Sequence, residues 1–309
     1  MSFCYVNPGC AEMLDSDSGT TVKSYAYNFI EGVSFWDANT TSNIQLGSVP
    51  TELYIRVSVF IRGTSDMASA KIYAGNNVGL SILQQSASSW RMNIYSGDSE
   101  LRQYNSCAEC NLNLGKNDIL IHAKAGYYSS GLFVFNVNGE EIYNQKITVK
   151  FDQSNSSKTP SDAILLRSDN DKLLFSNVII SDSEVTWNEK VASLTAKATD
   201  TDMTANEDGS YTASTAGQYL FQSLDVDALI DTYGEASPVT GVFLAGRPAY
   251  ATGSDLTKAV ACGRQNGAVT EYGTVELGTD KAAHVLIGSR LSLTLGDLRM
   301  REFGWKAGI

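Results

Sequence analysis

The sequence predicts an all-β fold, an antiparallel sandwich over residues 1–187 followed by a smaller β-rich domain over residues 188–309. Three observations carry this. The stretch ELYIRVSVFIR from Glu52 to Arg62 alternates Leu53, Ile55, Val57, Val59 and Ile61 with more polar neighbours, the period-two pattern of a half-buried strand, and Gly63 stops it. Short runs of the same kind recur at Ala70–Tyr73, Val78–Gln84, Trp90–Tyr95, Ile119–Ala125, Leu132–Val137, Glu141–Val149, Ala163–Arg167 and Leu173–Ile180, separated by Gly, Asn, Asp and Ser turns. Asn138-Gly139 stands between two of these runs and asks for positive φ at both turn positions, as a tight type I′ hairpin requires.

The first domain closes with Leu174–Asp182, a strand whose aromatic and β-branched residues are suited to packing across two sheets. The boundary falls at about Val185–Thr199, where TWNEKVASLTAKAT is either a short helix anchored by Trp187 and Leu194 or a strap. Beyond it, Asn206–Ala213 reads as an acidic turn feeding a strand, and Val226–Ile230 as one helical turn or a strand. Val239–Ala245, Lys258–Cys262, Ala268–Leu277, His284–Ile287 and Arg290–Leu295 are again short and β-prone. Frequent glycines leave this domain little side-chain mass for a core, so it is expected to bury surface against copies of itself.

The net charge of −11 is evenly spread, with 13 Lys and Arg against 19 Asp and Glu in residues 1–187 and 10 against 15 in residues 188–309. No basic half exists to neutralise phosphates, and the densest cluster, Arg299 to Lys306, is a solvated terminus, so no nucleic-acid partner is expected. No stretch approaches the apolar length of a membrane helix, and the first ten residues lack the pattern of a classical signal. Neither membrane insertion nor classical secretion is indicated.

The hairpin Phe133–Gly139 and the last strand LLFSNVIISDSEV, with its segment Phe175–Glu184, resemble laminin-G-like and concanavalin-A-like jelly-roll domains over residues 1–187. Ser176-Asn177 stands where that family's terminal strand usually has Gly, and the family's Trp-His element is absent, Ile119-Leu120-Ile121-His122 being nearest. The resemblance implies a jelly roll with loop carboxylates able to hold calcium at its rim, and a fold that also hosts glycoside hydrolases.

Candidate chemistry is sparse. The Glu-x-Asp-x-x-Glu string of such hydrolases does not occur. Glu31 and Asp37, beside Phe35 and Trp36, are the nearest substitute, and their spacing need not bring two carboxylates within the about 5 Å a retaining glycosidase needs. The two histidines, His122 and His284, lie inside apolar runs and read as half-buried strand residues. Asp15-Ser16-Asp17-Ser18-Gly19 opens like an EF-hand loop, but Ala26 occupies the position of the bidentate Glu. Asp15, Asp17, Asp169 and Asp171 remain candidate ligands for a structural calcium. Cys107 and Cys110 share a metal- or redox-pair spacing, and a zinc site with Cys4 and Cys10 is chemically conceivable; no stoichiometric zinc is expected. Trp90, Tyr127 and Tyr128, beside polar turns, are the candidate sugar-stacking residues.

These observations lead to the expectation of a non-enzymatic structural or attachment component of a virion or phage-like particle, made in a host cytoplasm. Its partners would be copies of itself, with a trimer as one candidate, and other particle proteins or surface glycans. The alternatives are an extracellular lectin-like carbohydrate-binding module and a glycoside hydrolase.

Overall fold

The structure, a computed structural model, describes residues 3–7, 23–25, 35–37, 42–45, 50–61, 69–74, 78–86, 89–96, 112–151, 163–168, 173–186, 191–192, 194, 196–246, 248–249, 254–277 and 283–309. Among these residues every strand pairing is antiparallel. The chain separates into two compact units, Phe3–Val191 and Ala192–Ile309.

The first unit contains β1 (Phe3–Asn7), β2 (Lys23–Tyr25), β3 (Phe35–Asp37), β4 (Ser42–Gln45), β5 (Glu52–Ile61), β6 (Ser69–Ala74), β7 (Val78–Ser86), β8 (Ser89–Ser96), β9 (Gly115–Lys124), β10 (Leu132–Val137), β11 (Glu140–Gln145), β12 (Ala163–Ser168) and β13 (Leu173–Ser181). They build an eight-stranded sheet in the order β11-β10-β9-β5-β13-β3-β2, with β1 also on β13, and a five-stranded sheet in the order β4-β12-β6-β7-β8. This is a β-sandwich of the jelly-roll kind.

Strand alternation decides which side chains meet between the sheets. Leu53, Ile55, Val57, Val59 and Ile61 of β5, Ile119 and Ile121 of β9, and Phe133, Phe135 and Val137 of β10 form one core with Ile72, Leu80, Ile82, Trp90, Met92 and Ile94 of the smaller sheet. Each large apolar side chain so buried contributes about 1.5–3 kcal/mol relative to exposure.

The hairpin between β10 and β11 places Asn138 at φ 52 and Gly139 at φ 89, the two positive values of a type I′ turn. Asn138 also ties this turn to the start of β9, its Oδ1 accepting from the Asp118 N–H at 2.8 Å and its Nδ2 donating to Asn117 Oδ1 at 3.1 Å. The central strand β13 is buried throughout. Its register against β5 shifts between Ser176 and Ile179, where Asn177 adopts φ 48 and donates from Nδ2 to Ser58 Oγ at 3.2 Å. Asn tolerates the left-handed region better than most residues.

The second unit holds β14 (Ala196–Thr201), β15 (Thr204–Ala205), β16 (Tyr211–Thr212), β17 (Tyr219–Leu224), α1 (Asp227–Tyr233), β18 (Pro238–Gly246), β19 (Lys258–Gln265), β20 (Ala268–Glu276), β21 (Ala283–Thr294), α2 (Leu295–Arg299) and β22 (Glu302–Gly308). Its main sheet runs β14-β17-β22-β19-β20, with β18 paired to β21 and β15 to β16. The described residues of the connecting stretch show no helix, and its end is strand β14, because Ala196–Thr201 satisfies its backbone on β17. Val226–Ile230 resolves the other way: it enters α1, with Asp227 in the first turn where the helix dipole favours an acid.

Candidate functional site

The outward residues of β5, β9 and β10 form cross-strand rows on the exposed side of the large sheet. Glu52 faces Lys124, which faces Leu132; Tyr54 faces His122, which faces Val134; Arg56 faces Leu120, which faces Asn136. After β13 the chain turns back over this face. Ser181 Oγ accepts from the Ser183 N–H at 3.1 Å, Val185 is buried, and Arg56 donates from Nη1 to the Thr186 carbonyl at 3.2 Å. This strap leaves beside it a depression of about 150 Å³ lined by Tyr54, Leu120, His122, Val134, Asn136, Glu184 and Val185. It is smaller than the roughly 300–1,000 Å³ of enclosed small-molecule pockets.

The polar groups in and beside this groove are organised around Glu52. Its Oε1 lies 2.9 Å from His122 Nε2 and accepts from the Tyr54 hydroxyl at 3.3 Å, while Lys124 Nζ is 3.3 Å from Oε2. Burial pushes the Glu52 carboxyl up, but the hydrogen bonds from His122 and Lys124 outweigh it and hold the group below its ordinary value. Burial, reinforced by the negative charge of Glu52, pushes Tyr54 up to about 12, so at neutral pH it is a hydrogen-bond donor. The Tyr54 and His122 rings stack with centroids 4.1 Å apart and planes 9° from parallel. An ionised carboxylate only accepts, so His122 Nε2, 2.9 Å from Glu52 Oε1, is the donor of that pair. At the other side of the groove the Asn136 Oδ1 is buried and has no hydrogen-bond partner among the described residues.

The sequence-derived candidates fall elsewhere. Trp90 is 4% exposed and packs inside the sandwich, because its strand phase points it inward; its ring is not available for sugar stacking. Tyr127 and Tyr128 are 67% and 79% exposed on the loop between β9 and β10. Asp15, Asp17, Asp169 and Asp171 lie outside the described residues, as do Cys10, Cys107 and Cys110. No group of three or more His, Cys, Asp or Glu able to hold a metal occurs among the described residues. Cys262 is a buried free thiol, pushed up to about 11 by burial and then by Glu271. His122 is the half-buried, hydrogen-bonded strand residue that its apolar run implies, whereas its neighbours Tyr54, Glu52 and Asn136 form no motif in the sequence. The signal was present in the alternation, which sends Tyr54 to the face opposite Leu53 and Ile55.

No protein-family model matches the chain, and no curated protein matches it. Solved structures similar to it include an endo-β-1,4-glucuronan lyase from the fungus Trichoderma reesei (10% identity, 58% of this chain and 95% of that one, TM-score 0.38). Two others are the metal-free carbohydrate recognition domain of Emp46p (13%, 60% and 100%, TM-score 0.35) and alginate lyase Aly36B (13%, 51% and 86%, TM-score 0.33). The expectation of a non-enzymatic chain is corrected by this finding. Two of the three are polysaccharide lyases. No helix among the described residues is long and apolar enough to cross a membrane.

Proposed function

We propose that the first unit is a saccharide-binding module whose groove over β5, β9 and β10 receives the sugar. The observation that carries this is the Tyr54–His122 stack beside a buried Asn136 Oδ1 that lacks a partner among the described residues. A buried acceptor left unpaired costs about 1–3 kcal/mol, which a ligand hydroxyl donating to it restores. Aromatic rings next to polar groups match a ligand with C–H faces and a hydroxyl rim. Calorimetric titration with neutral and uronate oligosaccharides tests the reading. Tyr54→Ala and Asn136→Ala are expected to weaken binding at least about tenfold, and unchanged affinity in both variants would overturn it.

Cleavage of the bound chain is a second reading, favoured by one observation: His122 is held 2.9 Å from Glu52 and stacks on Tyr54, which keeps its proton. It predicts that His122→Gln removes turnover on a saccharide that the variant still binds. The particle-component reading gains nothing from the fold or the similar structures, and glycan binding takes its place. For the second unit we propose self-association, supported by its small core and by the edge strand β20, whose Val269 is 51% exposed. Light scattering that shows a monomer at tens of micromolar would remove this part.

A further inference from the structure

Resting on the saccharide-binding reading, we propose that Tyr127 and Tyr128 form an outer subsite, so that the module takes a linear oligosaccharide rather than a single sugar. The turn that carries them starts where β9 ends, three residues past Lys124 at the Glu52 end of the groove. Tyr127 follows His122 by five positions, a span of at most about 17 Å at the rise of a strand.

The local backbone is arranged to hold these rings in water. Tyr128 has φ 47, a left-handed conformation that bulky residues rarely adopt and that persists only where the surroundings enforce it. Here they do. The Tyr128 N–H donates to Thr148 Oγ1 at 3.0 Å, the Tyr127 N–H donates to Ser130 Oγ at 2.9 Å, and the Ser130 hydroxyl returns a bond to the Tyr127 carbonyl at 2.8 Å. Gly126 and Val149 exchange backbone hydrogen bonds of 3.0 and 2.8 Å, which pins the base of the turn. Both flanking glycines are needed: a Cβ on Gly126 would lie 2.6 Å from the Gly131 nitrogen, and one on Gly131 would lie 2.1 Å from the Ile147 carbonyl oxygen.

None of this buries the rings. The turn Tyr128–Ser130 contains no buried residue. Lys150 Nζ lies 5.2 Å from the centroid of the Tyr127 ring, which stays largely exposed. A strained turn that displays two aromatic rings returns nothing to the core, so its use is contact with something outside the chain. Ser129 is exposed beside the rings, and a wholly apolar partner would strip water from its hydroxyl without replacing it. A pyranose chain offers C–H faces to the rings and a hydroxyl to Ser129.

The test is a nuclear magnetic resonance titration of ring-labelled tyrosines, assigned through Tyr54→Phe, Tyr127→Phe and Tyr128→Phe. The probes are the disaccharide and hexasaccharide of a β-1,4-glucan and of a β-1,4-glucuronan. The expected result is that a hexasaccharide moves the signals of all three residues and its disaccharide moves Tyr54 alone. Tyr127→Ala should then weaken the hexasaccharide at least about tenfold and leave the disaccharide unchanged. Movement of Tyr127 and Tyr128 without Tyr54 would sustain the subsite and sink the groove reading. Movement of Tyr54 alone at both lengths, or of no ring at all, overturns the subsite.

Discussion

The two units bury their apolar residues on different scales. In the first, the inward faces of two sheets meet in one continuous cluster from Leu53 to Ile180 that includes Phe133, Phe135 and Phe175. In the second, a short cluster around Val226, Ile287, Leu295, Leu298 and Phe303 is supplemented by specific polar and backbone contacts. Arg264 donates to Glu302 from Nε at 2.6 Å and to Asp200 from Nη1, with its guanidinium 4.3 Å from the centroid of the Phe221 ring. Thr294 and Asp297 cap α2 reciprocally. A sandwich with a wide core can leave the outer face of one sheet to a half-polar groove. A unit with a small core depends on individual contacts, and single changes should reach further in it.

Gly304→Ala is the severest way to break this contrast. A Cβ there would lie 1.7 Å from the Leu220 carbonyl oxygen, so β17 and β22 cannot both keep their positions. Hydrogen exchange should show loss of protection across 219–224 and 302–308 while 53–61 and 119–123 stay protected; uniform loss in both units would contradict the comparison. Next in size, Phe133→Ala should cost the first unit about 3–5 kcal/mol in denaturant unfolding, because its ring is fully buried in the cluster. Gly139→Val should cost the same unit about 1 kcal/mol or more, since φ 89 is hostile to a β-branched residue. An unchanged midpoint would disqualify the turn.

The smallest effect sharpens the comparison through pH. The Arg264 hydrogen bond holds the Glu302 carboxyl below its ordinary 4.5, opposed by burial and aided by Thr199. A carboxyl depressed in the folded state contributes stability above its unfolded value and loses it as pH falls through the folded one. The second unit should therefore weaken on acidification below about pH 4.5, and Arg264→Met should flatten that dependence. The same slope in both proteins would place the acid sensitivity elsewhere.

The fold was legible because its signals are local. The alternation in Glu52–Ile61 and the turn chemistry of Asn138-Gly139 each correspond to one observed element. The stretch ending in Ala196–Thr201 was not, because its helical composition yields to pairing with β17, whose partner residues lie 19 to 28 positions away. The site was harder still. Glu52 and His122 are 70 residues apart and Tyr54 and Asn136 lie on different strands, so only the sheet register brings them together. Trp90 shows the reverse error: an aromatic beside a polar turn reads as accessible, yet the phase of β8 turns it into the core.

The most direct test of the account is a crystal structure of the protein with a bound β-1,4-linked hexasaccharide. Sugar density lying over the Tyr54–His122 stack, with a hydroxyl donating to Asn136 Oδ1, is the predicted result. Density seated instead on the outer face of the five-stranded sheet, or confined to the second unit, would contradict it.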